Sequence, residues 1–285
     1  MSVRTNAALV VGGGYLGARV AKELRAAGLD ATASARSDAG LERIAREGIE
    51  PLRLDLASLP DSLPKPYTAI VYAVSKGRDG DGEIAWREGP RRVLDLVASN
   101  PPERFVFVSS TGVHGTSDGS RVDEATPATS TEPSHRAIRD GEEIVLRGAR
   151  GGPPGIVVRA GGLYGPDRSP IDWIRRPEFR ARLGAGGRAL MNWIHVDDAA
   201  KLVASAAIRG RPGAIYLAVD GAPVERREFW RFVATLAGVE PPVFADDDDR
   251  GKRCDPTRTF AELEVTPRFD WRTGLESLSR GGSSS

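Results

Sequence analysis

The chain has 285 residues, long enough to bury about three quarters of its unfolded surface in one large domain or in a domain with a smaller lobe. Its 40 lysines and arginines nearly balance 39 aspartates and glutamates, for a formal charge of +1, which argues against a broad electrostatic footprint for nucleic acid. A single cysteine, Cys254, excludes an internal disulfide framework and a multi-cysteine metal site, and three histidines with one cysteine form no metal-spaced set. No apolar run reaches the length of a membrane span, so the expectation is a cytoplasmic protein without a membrane partner.

Ala7 to Val11 is an apolar run followed by Gly12, Gly14 and Gly17, the G-x-G-x-x-G spacing. Leu16, Val20, Leu24 and Ala27 then repeat at helical period until Gly28. A glycine turn between strand and helix is a dinucleotide site: the first glycine allows the tight turn, the second the approach of backbone to pyrophosphate, the third close helix packing. The helix N-terminus, with Tyr15 and Leu16, then points at the anion. A second strand, Asp30 to Arg36, ends in Arg36 and Ser37 where an NAD site usually has a carboxylate for the ribose 2′-hydroxyl. A guanidinium there suits a 2′-phosphate, so NADP is favoured over NAD; the alternative is a solvated arginine in an arginine-rich chain.

Further strands are expected at Pro51 to Leu56, Ala69 to Val74, Arg104 to Ser109 and Gly155 to Arg159, with crossover helices at Ile84 to Ser99 and Ser134 to Leu146. The alternation predicts an α/β fold, a Rossmann-type doubly wound parallel sheet. Residues 1–165 form the NADP-binding core, and 166–280 a small C-terminal substrate lobe interleaved with the last core elements. Residues 281–285 form a flexible tail. From Asp167 to Leu190 no clean period appears, followed by a helix at Asp197 to Ile208, a strand at Ala214 to Val219 and a helix at Arg226 to Ala237. The four aspartates 246–249 read as a solvated acidic loop, since EF-hand spacing is lacking.

With these pieces in order, the chain resembles the extended short-chain dehydrogenase/reductases of the NAD(P)-dependent epimerase/dehydratase group. The likeness is carried by the glycine turn, Leu54-Asp55-Leu56, Phe-Val-Phe-Val-Ser-Ser-Thr-Gly-Val-His-Gly at 105–115 and Val-Asp-Glu at 122–124. It continues through Leu-Tyr-Gly-Pro at 163–166, Trp-Ile-His-Val-Asp-Asp-Ala-Ala at 193–200, and the closing Cys254-Asp255-Pro256 to Glu262-Leu263. The resemblance implies that Asp55 and Leu56 touch adenine and that Ala73, Val74 and Ser75 line the cofactor at the end of the fourth strand. It also implies pairing of two copies through the two crossover helices as a homodimer.

The family's Ser-Tyr-Lys set is altered here. Ser110 fits the serine, but the tyrosine position holds His135 and the lysine position Arg139. Histidine can move a proton near neutral pH; arginine can hold a ribose and repel charge on the imidazole but cannot relay a proton. With Ser134 as helix N-cap, His135 falls in a first turn whose dipole also disfavours imidazolium, so a neutral His135 is expected. The other reading makes His135 and Arg139 ordinary surface residues. Thr111, His114, Tyr164, Trp173 and Arg176 are the expected substrate contacts, His114 as a polar wall and the aromatics as an apolar one. His195 reads as a structural helix-opening residue. Arginines crowd the 168–188 loop, which points to an anionic substrate or to arginine-rich composition alone. These readings together describe an NADP-dependent oxidoreductase acting between a carbonyl and an alcohol carbon of a small substrate. The alternatives are a sugar-nucleotide epimerase or dehydratase, or an NADP-binding sensor without turnover.

Overall fold

The computed structural model describes residues 6–76, 82–245 and 248–281. Of the sequence expectations, Asp246 and Asp247 of the acidic loop and residues 282–285 of the tail lie outside these; Asp248 and Asp249 are exposed.

Short runs, mostly rich in valine, isoleucine, alanine and phenylalanine except at the edge strand β3, form β1 (Ala7–Val11), β2 (Asp30–Ala35), β3 (Glu50–Arg53), β4 (Ala69–Tyr72) and β5 (Arg104–Ser110) of one sheet. Beyond β6 (Asp118–Val122) come β7 (Ile156–Ala160), β8 (Gly162–Tyr164), β9 (Leu190–Met191), β10 (Trp193–His195) and β11 (Ile215–Ala218). The sheet order is β11-β7-β5-β4-β1-β2-β3, every neighbour parallel. Period-2 alternation sends Ala8, Val10, Val71 and Val106 into one apolar layer and Leu9, Val11, Tyr72 and Phe107 into the other. The expected doubly wound sheet is therefore the architecture found.

On the first face lie α1 (Gly17–Ala26), α2 (Asp38–Arg46) and, beyond α3 (Gly89–Leu96), α4 (Pro133–Arg147), α5 (Pro170–Ile174) and α6 (Pro177–Arg180) in the chain, α7 (Val196–Arg209). Helices α3 and α4 cover the second face. Helix α2 is capped by Ser37, whose Oγ accepts from Gly40 N at 3.3 Å, a boundary not anticipated from the sequence. The expected Ile84 to Ser99 helix begins instead as a π-helical turn, Glu83–Glu88, before α3 starts at Gly89 with Pro90. Both glycines of these crossover helices serve close packing. A Cβ on Gly89 would lie 2.2 Å from Tyr72 Oη, and one on Gly141 would lie 2.0 Å from the Trp86 carbonyl oxygen.

The remaining elements are β12 (Val224–Glu225), α8 (Arg226–Ala237), β13 (Gly251–Cys254), α9 (Thr257–Leu263) and α10 (Trp271–Gly281). Strands β12, β9, β13 and β6 form a second, small sheet in that order, unseen in the sequence because two of its members have only two residues. The irregular 167–190 stretch holds α5 and α6, and an aromatic cluster of Trp193, Phe229, Trp230 and Trp271 joins them to α8 and α10. Tyr164 is fully buried there, donating to the Asp270 carbonyl at 3.0 Å, so it is a core residue and not the expected substrate wall.

Behind the C-terminal end of β5 sits a sealed ion pair. Arg159 Nη2 and Nε donate to the two Glu142 oxygens at 2.8 and 3.0 Å, Ser109 Oγ donates to Oε1 at 2.5 Å, and Arg159 Nη1 donates to the Thr126 carbonyl at 3.1 Å. Both charged side chains are almost wholly buried. Replacing Arg159 with Met strands the Glu142 charge and is expected to lower stability by about 3–5 kcal/mol in urea denaturation. A loss below ~1 kcal/mol would mean that the pair does not hold β5, α4 and β7 together.

Candidate functional site

The glycine turn closes β1 at the point where the strand order reverses, between β1 and β4. Two of the three motif glycines there have a geometric cause within the protein. Gly12 has φ +93°, and a Cβ on Gly17 would lie 2.0 Å from the Gly12 carbonyl oxygen. A Cβ on Gly14 meets no protein atom within 4 Å, so the protein's own packing does not require that glycine. The N-terminus of α1 receives no side-chain cap and has no acidic residue in its first turn, which leaves its N–H groups and positive dipole end to an anion. A cavity of about 270 Å³ opens beside it, lined by Gly12, Arg36, Asp55, Leu56, Val74 and Ser75 among others. An uncapped helix end, a glycine open outward and an adjoining cavity fit a dinucleotide, held by Gly12 to Gly17 at its pyrophosphate and by the cavity at its adenosine half.

Arg36 is exposed at that cavity. The nearby carboxylate Asp38 is ion-paired to Arg53, which also donates to the Arg36 carbonyl at 3.0 Å. Ala73 meets the turn directly, its carbonyl oxygen 3.0 Å from where a Gly12 Cβ would be. Leu16 is buried in the core beside the turn. The Tyr15 ring has the guanidinium carbons of Arg19 and Arg168 each 4.7 Å from its centroid, and burial pushes its hydroxyl pKa up to about 12.

Beyond the end of β5, a 3₁₀ turn (Thr111–His114) is capped by Ser110, whose Oγ accepts from Gly112 N at 3.1 Å. The His135 imidazole packs on the same glycine; a Cβ there would lie 2.4 Å from Nε2. Buried Ser130 links the parts. Its N–H donates to the Val113 carbonyl at 2.9 Å, its hydroxyl bonds His135 Nδ1 at 2.8 Å, and its carbonyl accepts from Arg139 Nη1 at 2.9 Å. Ser110, His135 and Arg139 are thus brought together through Gly112 and Ser130, and Thr111 opens the turn between them. The small residue inside Ser-Thr-Gly was a readable signal for Gly112; nothing local marked Ser130.

Two electrostatic expectations are corrected. Helix α4 starts at Pro133 with Glu132 as cap, and Ser134 lies inside its first turn instead of capping it. His135 remains in that first turn, and burial holds its pKa below the usual imidazole value, seconded by the ammonium of Lys252, while Glu132 pulls upward. The repelling cation is therefore Lys252 and not Arg139. With Ser130 accepting from Nδ1–H, Nε2 carries a free lone pair and is a base; with Ser130 donating, Nε2–H is a neutral hydrogen-bond donor.

His114 is fully buried behind the turn, not on a pocket wall, and neither ring nitrogen has a hydrogen-bond partner. Burial, then Arg159 and Lys252, push its pKa down to about 4 against smaller opposing pulls from the Pro127 carbonyl and Asp123. Trp173 packs on Phe179 at 6.2 Å, and Arg176 is exposed just before α6. The loop arginines do not converge either: Arg175 pairs with Asp172 and Arg180 donates to the carbonyls of Ile174 and Arg175. His195 caps α7, its Nδ1 accepting from Asp197 N at 3.3 Å, as a structural residue should. Cys254 is buried and its thiol is pushed up to about 12, which makes it inert at neutral pH. Among the described residues no group of acidic, His or Cys side chains could hold a metal, and no helix is long and apolar enough to cross a membrane.

This arrangement defines a dinucleotide-binding Rossmann protein with a polar centre past its fifth strand. The chain belongs to the NAD dependent epimerase/dehydratase family, whose model matches residues 8–218. It is 28% identical over 270 residues to Protein YeeZ of Escherichia coli (strain K12), covering 89% of this chain and 93% of that one. It is also 28% identical over 250 residues to a 4-hydroxy-2-methyl-3-oxo-4-farnesyl-3,4-dihydroquinoline-1-oxide ketoreductase of Stigmatella aurantiaca, covering 81% and 73%. Among solved structures, a functionally unknown conserved protein from Silicibacter pomeroyi superposes with TM-score 0.75 at 26% identity, covering 98% and 99%.

His114 takes up its proton near pH ~6.5 when unfolded but only near about 4 when folded. Its contribution is therefore fully present above pH ~6.5 and is lost as pH falls through that interval, because the unfolded chain binds more protons there. The loss is roughly 3 kcal/mol at ~1.4 kcal/mol per pH unit. Urea denaturation between pH 7 and pH 4 is expected to show this slope, and His114→Leu to flatten it.

Proposed function

We propose that the protein is an NADP-dependent oxidoreductase that interconverts a carbonyl and an alcohol on a small substrate. A nicotinamide bound in the cleft would supply or accept the hydride. The reading is carried by the Ser110–Gly112–His135–Ser130 cluster, which sets a hydroxyl and an oriented, predominantly neutral imidazole around one glycine at the C-terminal end of the sheet. Ser110 orients the substrate oxygen, His135 Nε2 exchanges the proton with it, and Ser130 holds the imidazole in register, the base-to-orienter arrangement of general acid–base sites. Arg139 anchors Ser130 through one guanidinium nitrogen, and its other N–H groups are the donors for the nicotinamide ribose. The ketoreductase among the relatives supports the reaction class. The absence of the family's tyrosine and lysine weighs against dehydratase or epimerase chemistry.

The preference for NADP rests on Arg36 at the cavity and on Asp38 being neutralised by Arg53. Arg36→Asp is expected to weaken NADP+ binding about 10-fold or more, as for a lost charge-assisted contact, while NAD+ binding holds or improves. Equal loss for both cofactors in calorimetry would remove the NADP assignment.

Turnover is tested by NADPH depletion in a fractionated metabolite extract, with NADH as control. His135→Phe is expected to cut depletion by ~10²–10⁴-fold with NADPH binding retained. Retained binding with no depletion by the wild-type protein in any fraction would instead favour a cofactor-binding sensor.

A further inference from the structure

Strand β13 brings a lysine to the catalytic cluster. It runs parallel to β6, Cys254 opposite Val122, and β6 follows directly from the turn that carries Ser110, Gly112 and His114. The Asn192 side chain clamps it from the other side, its Nδ2 donating to the Lys252 carbonyl and its Oδ1 accepting from Cys254 N, both at 2.9 Å. Strand alternation puts Arg253 outward, exposed, and Lys252 inward on the face of buried Cys254.

The inward ammonium is uncompensated. Among the described residues Lys252 Nζ has neither an ion-pair nor a hydrogen-bond partner, and it is not one of the unpaired atoms sealed from solvent. The groups that feel its charge are His114 and His135, both predominantly neutral at pH 7, the buried Cys254 thiol and the exposed Asp249. Burial also holds the lysine below its ordinary value, as expected of a cation short of anions. A half-buried ammonium with solvent access and no partner among the described residues is a site for an anion.

We propose that Lys252 is the substrate's anion anchor: its Nζ holds an oxyanion of the substrate, carboxylate or phosphate, beside His135. The substrate class of the proposed reaction then narrows to anionic carbonyl and alcohol compounds, an inference that rests on reading this cluster as the reaction centre. Anion binding also offsets the Lys252 charge at the imidazole, so a bound substrate makes His135 easier to protonate than it is in the free protein.

The chain has three histidines, so each ring can be followed by NMR. The protein is titrated with malonate and, separately, with inorganic phosphate, with the cofactor pocket saturated by NADP+. We expect at least one of the two to move the His135 resonance and raise its pKa. Lys252→Gln should weaken that response about 10-fold or more, the loss of a charge-assisted bond, while Lys252→Arg and Arg253→Gln retain it. A response to malonate alone assigns a carboxylate, and to phosphate alone a phosphate ester. No His135 response to either anion, or an undiminished one in Lys252→Gln, overturns the proposal. The His195 resonance, from a ring packed against Phe269, reports whether each variant is folded. Should Lys252→Gln not fold, the wild-type response and its retention in Lys252→Arg decide the matter. Because the readout is a resonance and not turnover, a failed depletion assay leaves this result separately interpretable.

Discussion

The sealed Arg159–Glu142 pair is the constraint on which the site depends. A charge taken out of water is tolerable only when its hydrogen-bonding capacity is met, and here it is met from four elements. Strand β5 contributes Ser109, α4 contributes Glu142, β7 contributes Arg159, and the connection before α4 contributes the Thr126 carbonyl. Ser109 immediately precedes Ser110, and Glu142 lies two turns along α4 from His135. The pair thereby ties the end of β5 to α4, across which Ser110 and His135 face the same glycine. Gly141 makes this possible from the other side, letting α4 press on the Trp86 backbone without a side chain between.

The electrostatics of the cleft follow from the same arrangement. Arg159 is neutralised by Glu142 yet still disfavours charge on His114, and Lys252, which has no such partner among the described residues, disfavours it on both His114 and His135. Burial is the larger cause for each histidine, and the nearby cations add to it. The result is a centre that disfavours charge on its imidazoles and, among the described residues, leaves the Lys252 ammonium without an ion-pair partner. Ser130 matters here through geometry: three separate bonds fix its backbone and hydroxyl, so the imidazole it holds has little freedom to turn.

Much of the core was legible because it is local. The apolar runs that form β1, β4, β5 and β7, and the glycine turn, depend on neighbours in the chain and on allowed backbone angles. Helix α2 and the small sheet were not legible: the former begins on a Ser-Asp cap inside a polar stretch, and the latter is built from fragments that pair only across long separations. The aromatic Tyr164 was misread as a pocket wall because a sequence shows an amphipathic ring without showing which end is covered. In the fold α10 lies over it, with Gly274 against its hydroxyl.

The sequence by itself determined the doubly wound sheet and the glycine turn, which are written in period, spacing and residue identity; that His135 and Arg139 stand at the family's tyrosine and lysine positions is what the resemblance implied. Only the tertiary structure decided what surrounds the imidazole: that Ser130 orients it, that Gly112 admits it, and that the cation facing it is Lys252 and not Arg139 four residues along the same helix. The reason is physical. A charge acts through space and through the dielectric between groups, and the pairing of β13 with β6 brings a lysine far along the chain to where its charge reaches His135 on α4.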